Sequence, residues 1–407
     1  MKRLTSQSSI TKRNTARTGS GDTALNRRAM IGMTAGSIAA ARLSSAAEHR
    51  FAVDEVKTIS TQPGLYCGWP TLTRRSDGQL LVVWSGGRDS HVCPFGRVDM
   101  MRSDDGGESW TWPRTVFDSA TDDRDAGVLE TTKGTLIVTT FTSLAYQPNY
   151  EQQVAARQTG EGSRWPDERF DRWTRIHRRL DDRERESELG QWAIRSTDGG
   201  LTWSPRLPTV VNSPHGPIQL SDGRLIYAGK ELWTDQKRVG VAQSLDDGQS
   251  WQWLAEIPTR PDDQAKDYHE LHAVECESGK LIAQIRNHNP MNHRETLQSE
   301  STDGGKTWTA PRSIGVWGLP SHLLRLRDGR LVMSYGHRRK PLGVQARVSE
   351  DEGETWSDAM PLWDQATSGD LGYPSTAQLD DGTLVTVWYE KMKDSSLAVL
   401  RQAKWTL

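Results

Sequence analysis

The chain is short of cysteine, of long apolar runs and of excess positive charge, and each shortage removes a class of protein. Cys67, Cys93 and Cys276 are its three cysteines, too few and too scattered for a disulfide framework or a zinc cluster. Cys67 and Cys93 are left as either a pair or two free thiols. Beyond the first 47 residues no stretch is apolar and long enough to span a bilayer. Those 47 residues hold eight Lys and Arg against one Asp. The remaining chain carries 43 basic and 52 acidic residues, a net charge of −9. An acidic surface argues against nucleic acid as the partner.

What is present is repetition. The pattern S-x-D-x-G-x-[ST]-W occurs at Ser103–Trp110, Ser196–Trp203, Ser244–Trp251, Ser301–Trp308 and Ser349–Trp356. Each part has a physical job. The Asp carboxylate accepts hydrogen bonds from nearby backbone N–H groups and ties a tight turn. The Gly supplies a backbone angle that other residues resist. The Trp buries a large flat surface and anchors the turn to its sheet.

A second repeat interleaves with the first. Apolar strands turn at Asp77-Gly78, Lys133-Gly134, Asp222-Gly223, Ser278-Gly279, Asp328-Gly329 and Asp381-Gly382, and an apolar strand follows each. That is a hairpin signature. Self-similarity at about 50 residues with about four strands per unit predicts an all-β chain, a six-bladed β-propeller of four-stranded antiparallel sheets. The sixth unit lacks an Asp-containing turn, so a lone strand within Phe51–Ser60 is expected to complete it and remove an exposed edge.

Residues 1–47 read as an export leader. Asn26-Arg27-Arg28-Ala29-Met30 is a twin-arginine string, a mildly apolar stretch follows, and Ser45-Ala46-Ala47 is a small-residue cleavage site. The expected location is periplasmic or extracellular. Residues 48–407 form the propeller, with a charged insertion at about 146–190. Within it Trp165, Trp173, Ile176 and Leu180 have helical spacing, and a loop plus a short helix over one rim is expected.

Hairpin turns and Asp-containing turns fall at one end of such a ring. The other end collects Gly68-Trp69, Asp123-Arg124-Asp125, Pro214-His215, His269-Glu270, Ser321-His322 and Gly372-Tyr373. It also collects Arg88-Asp89-Ser90-His91, Lys230-Glu231, Arg286-Asn287-His288, His337-Arg338-Arg339 and Tyr389-Glu390. Function is expected where these loops converge on the axis.

With its Asp boxes and six units, the chain resembles the sialidases and the wider sialidase-like superfamily. The resemblance implies a Tyr nucleophile at Tyr373, in Tyr373-Pro374-Ser375, and a Glu base at Glu270. It implies carboxylate-binding arginines at Arg286 and Arg338, and Glu390 to orient them. Two positions depart from the family. Gly68-Trp69-Pro70 stands where the family has Arg-Ile-Pro, so the first Arg of a triad is missing and Arg88 is the candidate to replace it. The family's acid Asp belongs in the loop after the first hairpin, where Asp89 and His91 are the candidates. The implied activity is exo-acting, retaining hydrolysis of sialic acid or another acidic sugar on a glycan, with no cofactor and no metal.

A phenol is a poor nucleophile at neutral pH, and a carboxylate beside it can take its proton during attack. A neutral Tyr also avoids repelling an anionic sugar. A rival reading starts from His215, His269, His288, His322 and His337. Gathered in one basin, they could serve a polysaccharide lyase, or a hydrolase, acting on uronate-containing glycans. A third is a glycan-binding propeller without catalysis.

Overall fold

The Asp-containing turns are built alike because the same three side chains close them. In the first, Ser103 Oγ donates to Asp105 Oδ1 at 2.7 Å and accepts from the Gly107 N–H at 2.7 Å. Asp105 then accepts from the Ser109 N–H and hydroxyl at 2.9 and 2.5 Å. Gly107 sits at φ 87°, a region closed to most side chains. Asp198, Asp246, Asp303 and Asp351 repeat the arrangement. These donors hold the Asp105 carboxyl below its usual range.

A computed structural model describes residues 51–407 apart from 61, 63, 161 and 163. The expected leader, 1–47, lies outside the described residues. Six four-stranded antiparallel sheets form the blades of a β-propeller. In blade one the strands run Tyr66–Arg74, Leu80–Arg88, Arg97–Ser103 and Arg114–Phe117, from the axis outwards. The innermost strands of the later blades include Asp122–Glu130, Ile218–Gln219, Tyr268–Glu275, Ser321–Arg325 and Leu371–Gln378. As expected, the sixth blade takes its outer strand from Ala52–Thr58, which pairs antiparallel with Ala398–Thr406, Val53 opposite Trp405. Apolar residues from adjacent blades fill the space between sheets. Leu72 and Val82 of blade one pack with Val385 and Val387 of blade six.

The insertion in blade two is more helical than its sequence suggested. It holds α-helices Gln147–Thr159, Asp167–His177 and Asp182–Ser187. Its interior is a small aromatic cluster of Tyr146, Tyr150 and Trp173 against Cys93. Cys67, Cys93 and Cys276 are all buried free thiols, so Cys67 and Cys93 do not pair. Among the described residues no helix is long and apolar enough to cross a membrane.

Candidate active site

Four innermost strands carry the same one-residue bulge near the start. Gly68 pairs with Ser85 and Thr71 with Val83, so three steps on one strand face two on its neighbour. The same shift separates Arg124 from Gly127, Tyr268 from Leu271, and Gly372 from Ser375. A bulge breaks the alternation of faces and re-aims a side chain. Trp69, Asp125 and Tyr373 occupy the bulge with φ of 53°, 51° and 53°. Each such non-glycine conformation costs roughly 1–3 kcal/mol, a strain that clusters at functional sites. Glu270 is the second bulge residue of blade four.

These bulges line a cavity of about 540 Å³ at the end of the axis away from the Asp-containing turns; Trp69, Asp125, Glu270, Arg286, Arg338 and Tyr373 are in its wall. At its centre the Tyr373 hydroxyl donates to Glu270 Oε1 at 2.5 Å. Arg286 Nη1 donates to the same carboxylate oxygen at 2.8 Å and to the Tyr373 oxygen at 3.0 Å. Burial opposes ionisation of Glu270, but Arg286, then His269 and the phenol, overcome it and hold the carboxyl at about 2. Burial first, and then the Glu270 charge, push the Tyr373 phenol well above its usual value. The pair therefore stands as phenol and carboxylate. Among the described residues Glu270 Oε2 has no hydrogen-bond partner.

Asp125 is the carboxyl that sequence reasoning did not single out. Burial pushes it up to about 7, with Arg124 opposing and Glu270 reinforcing the rise. Below about pH 7 it holds a proton while Glu270 is ionised, the division of labour that acid–base pairs need. The one available signal was its place in Asp123-Arg124-Asp125 on the rim.

The expected residues divide. Tyr373, Glu270, Arg286, Arg338 and His91 line the cavity. Arg338 Nε and Nη2 donate to the Leu371 carbonyl at 3.0 and 2.8 Å. His91 Nδ1 lies 3.0 Å from the Tyr66 hydroxyl and 3.2 Å from Asp370 Oδ1, and Asp370 also accepts from the Tyr389 hydroxyl at 2.9 Å. His288 backs the site without lining it. Its Nε2 accepts from Arg286 Nε at 3.0 Å, and burial, then Arg286, push its ring down to about 4.

Asp89, Arg88, Glu390, His215 and His337 do not line this cavity. The Asp89 carboxylate is turned to the insertion, accepting from Arg172 Nη2 at 2.6 Å and Trp173 Nε1 at 3.0 Å. Arg88 is fully buried against Asp122 at 2.6 Å and does not refill the missing cation position. Arg124 lines the cavity and Arg88 does not, and the Arg124 guanidinium lies 4.5 Å from the centre of the Trp69 ring. Glu390 faces Arg401 at 3.7 Å, not the arginines it was expected to orient. His337 packs edge-on to Trp317. His215 is buried on the axis with His322 and His272, ring centres 5.1 and 5.5 Å away. The basin of five histidines is thus not formed: of the five, His269 alone reaches the cavity. Among the described residues no group of three or more His, Cys, Asp or Glu is arranged to hold a metal.

Fold and repeats together define a sialidase-like propeller of the BNR-repeat superfamily. The chain belongs to the family described as BNR repeat-like domain, whose model matches residues 180–386. It is similar to a xyloglucanase from Paenibacillus sp, 27% identical over 216 residues, which are 47% of this chain and 20% of that protein. The chain thus spans about a fifth of the length of that curated relative. Among solved structures it resembles a protein of unknown function from Dyadobacter fermentans, with TM-score 0.71 and 21% identity over 88% of this chain and 99% of that one. It also resembles a Hadza microbial sialidase, with TM-score 0.60 and 18% identity over 83% of this chain and 65% of that one. Identities this low speak for the fold alone.

Proposed function

We propose that this is an exported, exo-acting glycoside hydrolase that removes sialic acid or another acidic sugar from a glycan with retention of configuration. The observation that carries the reading is the 2.5 Å hydrogen bond from Tyr373 to an ionised Glu270 inside a cavity with arginines. In the first step the phenol oxygen bonds the anomeric carbon as the glycosidic C–O bond breaks. Glu270 takes the phenol proton, and Asp125, in place of the expected Asp89, gives its proton to the leaving oxygen. In the second step water attacks the same carbon as the bond from that carbon to the Tyr373 oxygen breaks. Asp125 takes a water proton and Glu270 returns its proton to Tyr373, so both carboxyls end as they began. Arg286 and Arg338 supply the donors that hold the sugar carboxylate, and Arg124 over Trp69 supplies the third cation. The expected twin-arginine leader would place the enzyme in the periplasm or outside the cell.

The test compares wild type and Tyr373→Phe on a sialyl reporter and on a library of acidic glycans, with the product anomer read by NMR. The expected result is a retained product from wild type and none from the variant. Equal turnover by both would overturn the mechanism. A lyase reading predicts an unsaturated product absorbing in the ultraviolet; of its five histidines, His269 lines the cavity.

A further inference from the structure

The blade-three side of the cavity has a composition that the cleavage chemistry leaves unused. Trp233 is 45% exposed, high for the largest apolar side chain. Its loop is nevertheless well built. Glu231 accepts two bonds from Arg238 at 2.7 and 2.9 Å, the Leu232 N–H donates to Gln191 at 2.6 Å, and Trp233 Nε1 donates to the Gly190 carbonyl at 3.3 Å. The indole edge is therefore fixed while much of the ring stays open. Phe141 lies beside it, ring centres 6.3 Å apart, and both line the cavity. A fixed, open aromatic surface in a cleft is suited to the C–H face of a sugar ring.

Two cations flank this surface. Lys230 is 7% exposed and donates to the carbonyls of Lys266 and Tyr268 at 2.5 and 3.0 Å. Among the described residues no carboxylate comes within ion-pair distance of its ammonium. Burial, then the charge of Lys237, push it down to about 8. Lys237 lines the same wall. Glu270 and Asp267 act on the Lys230 ammonium only from beyond ion-pair distance, and a buried ammonium without a contacting carboxylate is costly until an anion arrives. Arg286, which shares the first carboxylate position with Arg338, is held by Glu270 at 2.8 Å. Arg338 follows the second strand of blade five, Leu331–His337, and Lys230 ends the second strand of blade three, Leu225–Lys230, so blade four stands between Lys230 and the Arg338 side of the first carboxylate position.

We propose that Phe141, Trp233, Lys230 and Lys237 form a second sugar subsite that takes an anionic residue, carboxylated or sulfated. Calling it the leaving-group side rests on the reading of Tyr373 and Glu270 as the point of cleavage; the binding claim does not. The substrate is then a glycan with acidic groups on both sides of the bond that breaks.

Isothermal calorimetry on the full chain tests this with digalacturonic acid, 6-sulfated galactobiose and neutral galactobiose, in wild type and in a Tyr373→Phe background that blocks turnover. The expected result is acidic probes binding on the order of tenfold tighter than neutral, the size of one charge-assisted hydrogen bond. Lys230→Met and Lys237→Met should each reduce that preference, and Trp233→Ala should weaken all probes alike. Comparison of the uronate with the sulfate ester tells which anion is favoured. If circular dichroism shows Lys230→Met unfolded, Lys237→Met and Trp233→Ala decide, since both side chains are exposed. No acidic preference, including no binding of any probe, overturns the subsite. So does a preference that survives both lysine changes and vanishes in Arg338→Ala. Turnover retained by Tyr373→Phe would remove the cleavage reading and leave the binding result standing.

Discussion

Arg88 and Asp122 form an ion pair at 2.6 Å from which solvent is wholly excluded. The same guanidinium donates to the backbone carbonyls of Asp123 and His91 at 3.2 and 3.1 Å, so it joins the innermost strand of blade two to the loop after the first hairpin. Asp122 would be left as a buried, largely uncompensated charge in Arg88→Met. The expected loss of folding stability is about 3–5 kcal/mol by urea denaturation. A loss below about 1 kcal/mol would mean that the pair is not structural in the way described.

The pH profile should report Asp125. Its proton is needed for the leaving oxygen and is held up to about pH 7. Turnover should therefore fall above about pH 7 in proportion to the protonated fraction, while Glu270, held at about 2, puts no acid limb above about pH 3. Asp125→Asn should lose roughly 10²–10⁴ in rate and the alkaline limb with it. An alkaline limb that persists in this variant would assign the proton to another group.

Asp125 also shapes stability, and the sign is opposite to that of a salt-bridged carboxylate. Its folded value lies above the unfolded one of about 3.9, so the folded state binds more protons across that interval. Its contribution to stability is complete below about pH 4 and lost progressively as pH rises through about 7. Urea midpoints across this window should decline less steeply in Asp125→Asn than in wild type. Parallel slopes would remove the assignment.

Asp89→Ala separates a structural carboxylate from a reacting one. The change removes the acceptor for Arg172 and Trp173, bonds to a charged group worth roughly 1.5–3 kcal/mol each. Hydrogen exchange should quicken across 147–187. If exchange there is unchanged while turnover collapses, Asp89 acts in the chemistry after all.

Glu390→Gln and Arg338→Ala should differ in kind. Glu390 faces Arg401, so its loss should leave KM for an acidic substrate within about threefold, below the cost of one charged hydrogen bond. Arg338→Ala should raise KM by roughly 10–100-fold. A reversed order would put Glu390 back beside the arginines.

The ring was legible because its turns repeat: six Gly-second hairpins and five Asp-containing turns give the blade count and the orphan outer strand of blade six. Tyr373, Glu270 and Arg286 could be located because their strand context matches a known pattern. Asp125 could not, and the reason is physical. Asp122, Asp123 and Asp125 lie within four residues, and simple alternation puts Asp123 and Asp125 on one face. Yet Asp122 meets Arg88 and Asp123 accepts from Ser119 at 2.7 Å, while the bulge turns Asp125 into the cavity. Alternation likewise decided Glu390, whose neighbour Tyr389 took the cavity side. The histidines were misplaced because a strand-end position fixes height along the axis poorly, and His215, His272 and His322 sit buried on the axis instead.

The seam between Ala52–Thr58 and Ala398–Thr406 joins partners some 350 positions apart. A growing polypeptide makes one half of that zipper some 350 residues before the other. Until then the early strand has nothing to bond, and the sixth blade lacks its margin. Closing the ring therefore needs a long-range annealing event, of the kind that slows folding.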